Sequence, residues 1–241
     1  MKKSKRRGKI RVLGMDELIN RACAVFLEKF KNGGFADPEY ENKERNPKET
    51  ALHTLEKYLN KETFLTLLSE GSYNSVAEYA KKVCAVSNLV DWHGHNSLSD
   101  LYESSTQKAE LFTKVLFALM YGTSPIEERF TEFVDFFDKG QKEMWPLSTC
   151  FLSLLYPEKY AMLKPRATDN FTRLAGITIK RESIPTWEAY QNYLEMLQDI
   201  KRRLISRRDE RLVPDNLRDV QSFVWVCCSD NYHNYDKLSA N

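Results

Sequence analysis

The chain has 241 residues, enough for one large domain or two small ones with a real core. Hydrophobic residues make up 42% and charged residues 29%, an ordinary globular balance, and no apolar run approaches the length of a membrane span. The net charge is only +2 but unevenly spread. Residues 2–11 hold Lys2, Lys3, Lys5, Arg6, Arg7, Lys9 and Arg11 with no acid and no apolar segment after them, so they read as a disordered basic arm, not a secretory leader. Residues 12–241 then read as one helical domain, divisible into lobes at 12–122 and 123–241, in a cytoplasmic protein.

In chain order, the spacing of Leu18, Ala22, Val25, Phe26 and Phe30 predicts a helix over 15–31, stopped by Asn32-Gly33-Gly34. Residues 35–48 are polar, contain Pro38 and Pro47, and read as a loop. Helices are expected over 48–60, 61–70 and 73–87. A polar segment over 91–99 holds Asp91, Trp92, His93 and His95. Further helices fit 98–121, 125–138, 145–156, 164–174, 185–205 and 217–228. Ser124-Pro125 followed by Glu127 and Glu128 is a helix-start signature. The alternating runs 10–13 and 177–179 form a weak candidate strand pair. The expected fold is therefore all-α, an irregular multi-helix bundle with short connections.

Five scattered cysteines with no CxxC pair read as reduced core thiols. His93 and His95 lack a third ligand, so no metal is expected. The glycines stand in no nucleotide-binding loop, so no nucleotide cofactor is expected either. A second basic cluster, Lys201, Arg202, Arg203, Arg207, Arg208 and Arg211, joins the arm in suiting a phosphate backbone; a solvated helix face is the alternative.

The most informative stretch is 139–174, KGQKEMWPLSTCFLSLLYPEKYAMLKPRATDNFTRL. Its order of glycine-containing turn, apolar helix, Pro157–Tyr160 loop, apolar pair and short helix resembles the helix-hairpin-helix DNA glycosylases. Trp187–Tyr190 and Asp219–Trp225 resemble the closing helices of the 8-oxoguanine-glycosylase-like branch. The stretches Trp145–Thr149, Leu163–Thr168 and Asp219–Val226 are also similar to helical modules of bacterial restriction and phage-defence loci. The resemblance covers roughly the last half of the chain.

It implies double-stranded DNA as partner, base flipping, and cleavage of the N-glycosidic bond of a modified base, a modified cytosine in phage DNA being the substrate the defence context suggests. A non-catalytic reader of modified DNA is the alternative. It makes Lys139, Gly140, Gln141 and Lys142 the DNA-holding hairpin; Arg166 is a further candidate phosphate contact, and the second basic cluster offers Arg202, Arg203 and Arg207. Lys164 falls where the family keeps a catalytic Asp, as a nucleophile or as a phosphate contact. The missing carboxylate would then come from Asp169, Asp91, Glu28 or Asp219, although Asp219 also suits a cap or an internal ion pair. Trp92, among polar neighbours, is the first candidate for stacking on a base. Trp145 is the second, although Trp145, Trp187 and Trp225 all suit a core better than a platform.

Overall fold

In the computed structural model the described residues are 12–86, 90, 98, 105–137 and 144–239. Among them the protein is all-helical, with no strand, in agreement with the fold class expected from the sequence. The helices are α1 (Met15–Lys29), α2 (Pro38–Tyr40), α3 (Asn46–Leu59), α4 (Lys61–Ser69), α5 (Tyr73–Ala85), α6 (Thr106–Tyr121), α7 (Ile126–Asp135), α8 (Met144–Leu155), α9 (Pro165–Ala175), α10 (Trp187–Ile205), α11 (Leu217–Cys228) and α12 (Tyr235–Ser239).

Three sequence expectations need correction. Residues 35–48 are not a loop. Asp37 caps α2, accepting from the Glu39 N–H at 2.8 Å, and Pro38 follows at the first helical position. A π-helical turn, Glu41–Arg45, then joins α2 to α3. Pro47 has no N–H to donate and its ring crowds the preceding turn, so a widened turn just before it lets the chain stay helical. Second, the runs 10–13 and 177–179 do not form strands where they are described. Leu13 N–H does reach the Leu174 carbonyl at 2.8 Å, but as a single bond at the end of α9. Third, α7 begins at Ile126, with Pro125 in the cap position and no side-chain cap, so the Ser124 hydroxyl plays no capping part.

Packing sorts the helices into two groups on one continuous core. Helices α3 to α7 pack on one another, and α1 packs with α9, α10, α11 and α12. A division at residue 122 would therefore part α1 from the helices it lies on. Helix α8 lies on the first group, touching α3, α6 and α7, with Met144 to Leu154 all buried, and the contact of α7 with α10 joins the two groups. Trp145 belongs to this core. It is 0% exposed and its indole N–H donates to the Glu182 carbonyl at 2.9 Å, so it has no face to offer a base. All five cysteines are free and buried, as their scattered spacing suggested. No described helix is long and apolar enough to cross a membrane.

Two contacts close the core around α1. An aromatic knot of Phe26, Phe30, Phe35, Tyr40 and Phe223 fixes α1, α2 and α11 together, with Phe26 and Phe35 centroids 4.7 Å apart and Phe30 and Tyr40 5.3 Å apart. Beside it the turn Gly34–Ala36 lies directly against the turn Glu210–Leu212. Gly34 has φ +60°, and a Cβ there would fall 2.1 Å from the Arg211 carbonyl oxygen. Gly34→Ala is accordingly expected to destabilise the protein by at least about 2 kcal/mol, the left-handed backbone and the clash acting together. Urea unfolding of the variant checks this; unchanged stability would contradict the close approach of the two turns.

Candidate functional site

The helical segment 38–49 meets α11 along a line of polar side chains. Tyr40, Glu44 and Lys48 recur every four residues, as do Glu41, Arg45 and Glu49, so each set stands on one face. On α11 the facing positions are Arg218, Asp219, Ser222 and Trp225.

Asp219 is the centre of the contact. Its carboxylate accepts from the Tyr40 hydroxyl at 2.8 Å, from Arg45 Nη2 at 2.7 Å and Nε at 3.2 Å, and from the Asp215 N–H at 2.9 Å. The Arg45 guanidinium also lies over the Tyr40 ring, 5.5 Å from its centroid, and pairs with Asp215 at 2.7 Å. Burial would raise the Asp219 carboxyl, but the hydrogen bonds and charge of Arg45, with Tyr40, hold it below the usual range. One turn on, the Lys48 ammonium donates to the Ser222 hydroxyl and lies 3.6 Å from Glu44, which accepts from the Tyr232 hydroxyl at 2.6 Å. Burial lowers the Lys48 pKa, with Glu44 opposing it. Arg218 pairs with Glu49 at 2.8 Å.

This stapled seam forms one wall of a cleft of about 570 Å³. Lys29, Lys43, Glu44, Lys48, Lys164, Gln221, Trp225 and Tyr232 line it, together with Pro47, Met162 and Asn231. Four lysines against one glutamate make it cationic, although Lys29 and Lys43 also converge on Glu39 outside the lining, at 2.6 and 2.7 Å. Their hydrogen bonds lower the Glu39 carboxyl to about 2.

Lys164 is delivered to the cleft by a pinned turn. Its preceding residues are held by Thr149 Oγ1, which accepts from the Leu163 N–H at 3.0 Å, and by the Tyr190 and Tyr193 hydroxyls, which donate to the Ala161 and Met162 carbonyls at 2.9 and 3.0 Å. From there Lys164 Nζ reaches over the Trp225 ring, 5.6 Å from its centroid. The stretches Trp145–Thr149, Leu163–Thr168 and Asp219–Val226, separate in sequence, thus meet: Thr149 holds Leu163, and Lys164 covers Trp225.

The other sequence candidates lie elsewhere. Asp169 pairs with Arg181 at 2.6 Å, and Glu28 pairs with Lys237 at 2.9 Å on the surface. Asp219 lines a smaller neighbouring cavity of about 190 Å³, which shares Lys48 with the cleft. Arg166 is exposed and pairs with Asp230 at 2.7 Å. Arg202 and Arg203 pair with Asp199 at 3.2 and 2.6 Å, and Arg203 and Arg207 also bind Asp16 and Asn20 of α1. None of these four arginines lines the cleft. Asp91, Trp92, Lys139, Gly140, Gln141 and Lys142, and with them the hairpin, fall outside the described residues. Sequence reasoning missed Tyr40, Glu44, Arg45, Lys48, Gln221 and Tyr232. The signals for the first four were the Asp37-Pro38 helix start and the Glu–Arg and Glu–Lys pairs at four-residue spacing. Trp225, assigned to the core, lines the cleft.

Among the described residues no group of three His, Cys, Asp or Glu side chains is placed to hold a metal ion. No protein-family model, curated protein or solved structure matches the chain.

The geometry makes Asp219 a structural carboxylate, and this can be checked. Asp219→Asn replaces a buried, charged acceptor of several hydrogen bonds by a neutral amide while Arg45 keeps Asp215 and Glu41, so it is expected to cost about 2 kcal/mol at neutral pH. Because the folded carboxyl titrates below an unfolded one (about 3.9), its contribution is full above that value and fades as pH falls through the lower folded one. The stability difference between Asp219→Asn and the parent in urea should shrink towards pH 3; a difference independent of pH would refute the assignment.

Proposed function

We propose that the chain binds DNA, draws one nucleotide into the Lys164–Trp225 cleft and splits its N-glycosidic bond, with a modified cytosine of phage DNA as substrate in a cytoplasmic defence role. The observation that carries this reading is the cleft itself. Cationic side chains suited to phosphate, an indole suited to stacking and a buried amine–carboxylate pair share one cavity of nucleotide size.

The chemistry asks for two things: a nucleophile, or water, at C1′ of the sugar, and an anion near the positive charge that develops there. Of the four lysines lining the cleft, Lys164 lies over Trp225 and Lys48 beside Glu44, and burial of Lys48 favours its neutral, nucleophilic form. As an amine attacks C1′, the C1′–N bond breaks and its electron pair leaves with the base, which takes up a proton. The amine nitrogen gives one up. Glu44 replaces the carboxylates expected from the sequence, since it is the acid in the cleft lining. Its bond from Tyr232 fixes its orientation.

The reader-module alternative has one observation in its favour. Asp169, Glu28 and Asp219 are all committed to ion pairs outside the cleft, and Glu44 is itself engaged by Tyr232 and Lys48. A site that only grips a base has no use for a freely placed anion.

Duplex binding should weaken steeply with salt, each phosphate contact adding about −0.9 to the slope of log affinity against log salt. An affinity that does not change between low and physiological salt would remove DNA as the partner.

Base release from phage DNA carrying cytosine modifications separates the two readings. Glu44→Gln and Lys164→Ala are each expected to lower release at least about 100-fold, with Glu44→Gln leaving DNA affinity within about threefold of the parent. Binding without any base release, on all modified substrates, would make the protein a reader.

A further inference from the structure

Two of the four cleft lysines have their charge cancelled from outside the cleft. Lys29, at the end of α1, and Lys43, in the π-helical turn, both donate to Glu39, and to the same oxygen of it, Oε1, at 2.6 and 2.7 Å. Both lysines line the cleft, and Glu39 does not. Lys48 and Lys164, by contrast, find Glu44 and Trp225 within the lining itself.

The fold builds this arrangement from beneath. Asp37, buried, accepts from the Asn32 N–H just after α1 and from the Glu39 N–H, both at 2.8 Å, and so fixes the start of α2 against the end of α1. The residue after Glu39 is Tyr40, sealed in the aromatic knot. Glu39 is thereby held between two ammonium groups that come from different elements. Ammonium groups this close repel one another, so the point between them calls for an anionic oxygen. Their hydrogen bonds lower the Glu39 carboxyl to about 2, and it supplies that oxygen throughout the neutral range.

A phosphate oxygen fits the same two donors, and a phosphate carries further acceptors that a carboxylate lacks. The side chains of Lys29, Lys43 and Glu39 all remain partly open to solvent, so an arriving anion can reach the lysines. An exposed ion pair is exchanged at little cost. A simple anion gains little by displacing a carboxylate that is already in place. A phosphate tethered to a group held elsewhere in the cleft arrives at a high local concentration and does displace it.

We propose that Lys29 and Lys43 form a phosphate site at the cleft, and that Glu39 is its built-in stand-in, displaced when a phosphate of an incoming DNA strand arrives. The proposed DNA binding supplies the source of that phosphate; the site itself follows from the converging lysines.

The test compares the parent with Glu39→Gln, with the double variant Lys29→Gln/Lys43→Gln, and with the triple variant that combines all three. Glu127→Gln, which removes an exposed acid of α7 outside the cleft, is the control for charge alone. The ligands are a short duplex, followed over a range of salt, and inorganic pyrophosphate, which distinguishes a strand from a free phosphate compound as the source. At about 50 mM salt Glu39→Gln should bind the duplex about tenfold more tightly than the parent. Its slope of log affinity against log salt should be steeper by about 0.9, because in the parent the displaced carboxylate takes back the counterion that the phosphate gives up. The triple variant should bind no better than the double variant, and Glu127→Gln should bind as the parent does.

A Glu39→Gln variant that binds the duplex no more tightly than the parent overturns the inference and leaves DNA binding in place. So does a gain that survives the loss of both lysines, or an equal gain from Glu127→Gln. If no form binds the duplex, the DNA reading falls and pyrophosphate decides. Uptake by Glu39→Gln that the triple variant loses keeps the phosphate site, with a free phosphate compound as its ligand; no uptake overturns the site as well.

Discussion

The buried carboxylate of Asp219 organises this protein. It lies deep in the seam between α11 and the helical segment 38–49, where an ionised group without partners would not be tolerated. Tyr40, Arg45 and the Asp215 N–H supply those partners, and each comes with a structural consequence. Tyr40 ties the carboxylate to the aromatic knot around Phe26 and Phe30, so the polar centre and the core beside it are ordered together. Arg45 sits within the π-helical turn and fixes the rotation of the segment after it. With that rotation set, Glu44 and Lys48 can only face Tyr232 and Ser222. One wall of the cleft is thus a by-product of satisfying one charge.

The opposite wall has a different origin. Lys164 is held by backbone groups: three side-chain hydroxyls, from Thr149, Tyr190 and Tyr193, bind consecutive peptide units at 161–163. These side chains are themselves buried in α8 and α10, so the turn is positioned by the core and not by the surface. Asn170 adds a bond from α9 to the Cys228 carbonyl at the end of α11 at 2.9 Å. The distance between Lys164 and Trp225 therefore depends on two independent sets of buried hydrogen bonds. Such support from beneath is what a site needs if its polar groups are to keep their places as a ligand arrives.

The two basic features have separate roles in this architecture. Arg203 of α10 and Arg207 in the turn after it spend part of their hydrogen-bonding capacity on α1, through Asp16 and Asn20, and so help dock the first helix. Surface contacts of this kind contribute little stability. Two of the cleft lysines differ: Lys48 is largely buried, and Lys164 lies over an aromatic face. Under the proposed function, long-range attraction of a polyanion and close recognition of one of its units would fall to different parts of the molecule.

The sequence by itself determined the longer helices. The apolar periodicity of α1, α10 and α11, the glycine stop after α1, and the proline at the start of α9 are local rules, and local rules can be read from local residues. What it did not determine was which side chains share a cavity. Residues 35–48 looked like a loop because their composition is polar, yet the polarity serves a buried partner 174 residues away, Asp219 for Arg45 and Ser222 for Lys48. Trp145 and Trp225 have the same chemistry and opposite fates, one sealed in the core and one lining the cleft, because burial is set by what packs above a residue. Asp169 and Asp219 were both candidate carboxylates, Asp219 also suiting an internal ion pair, and the structure shows Arg181 and Arg45 holding them. Pairings of this kind depend on the arrangement of the helices in space, and so only the tertiary structure decided them.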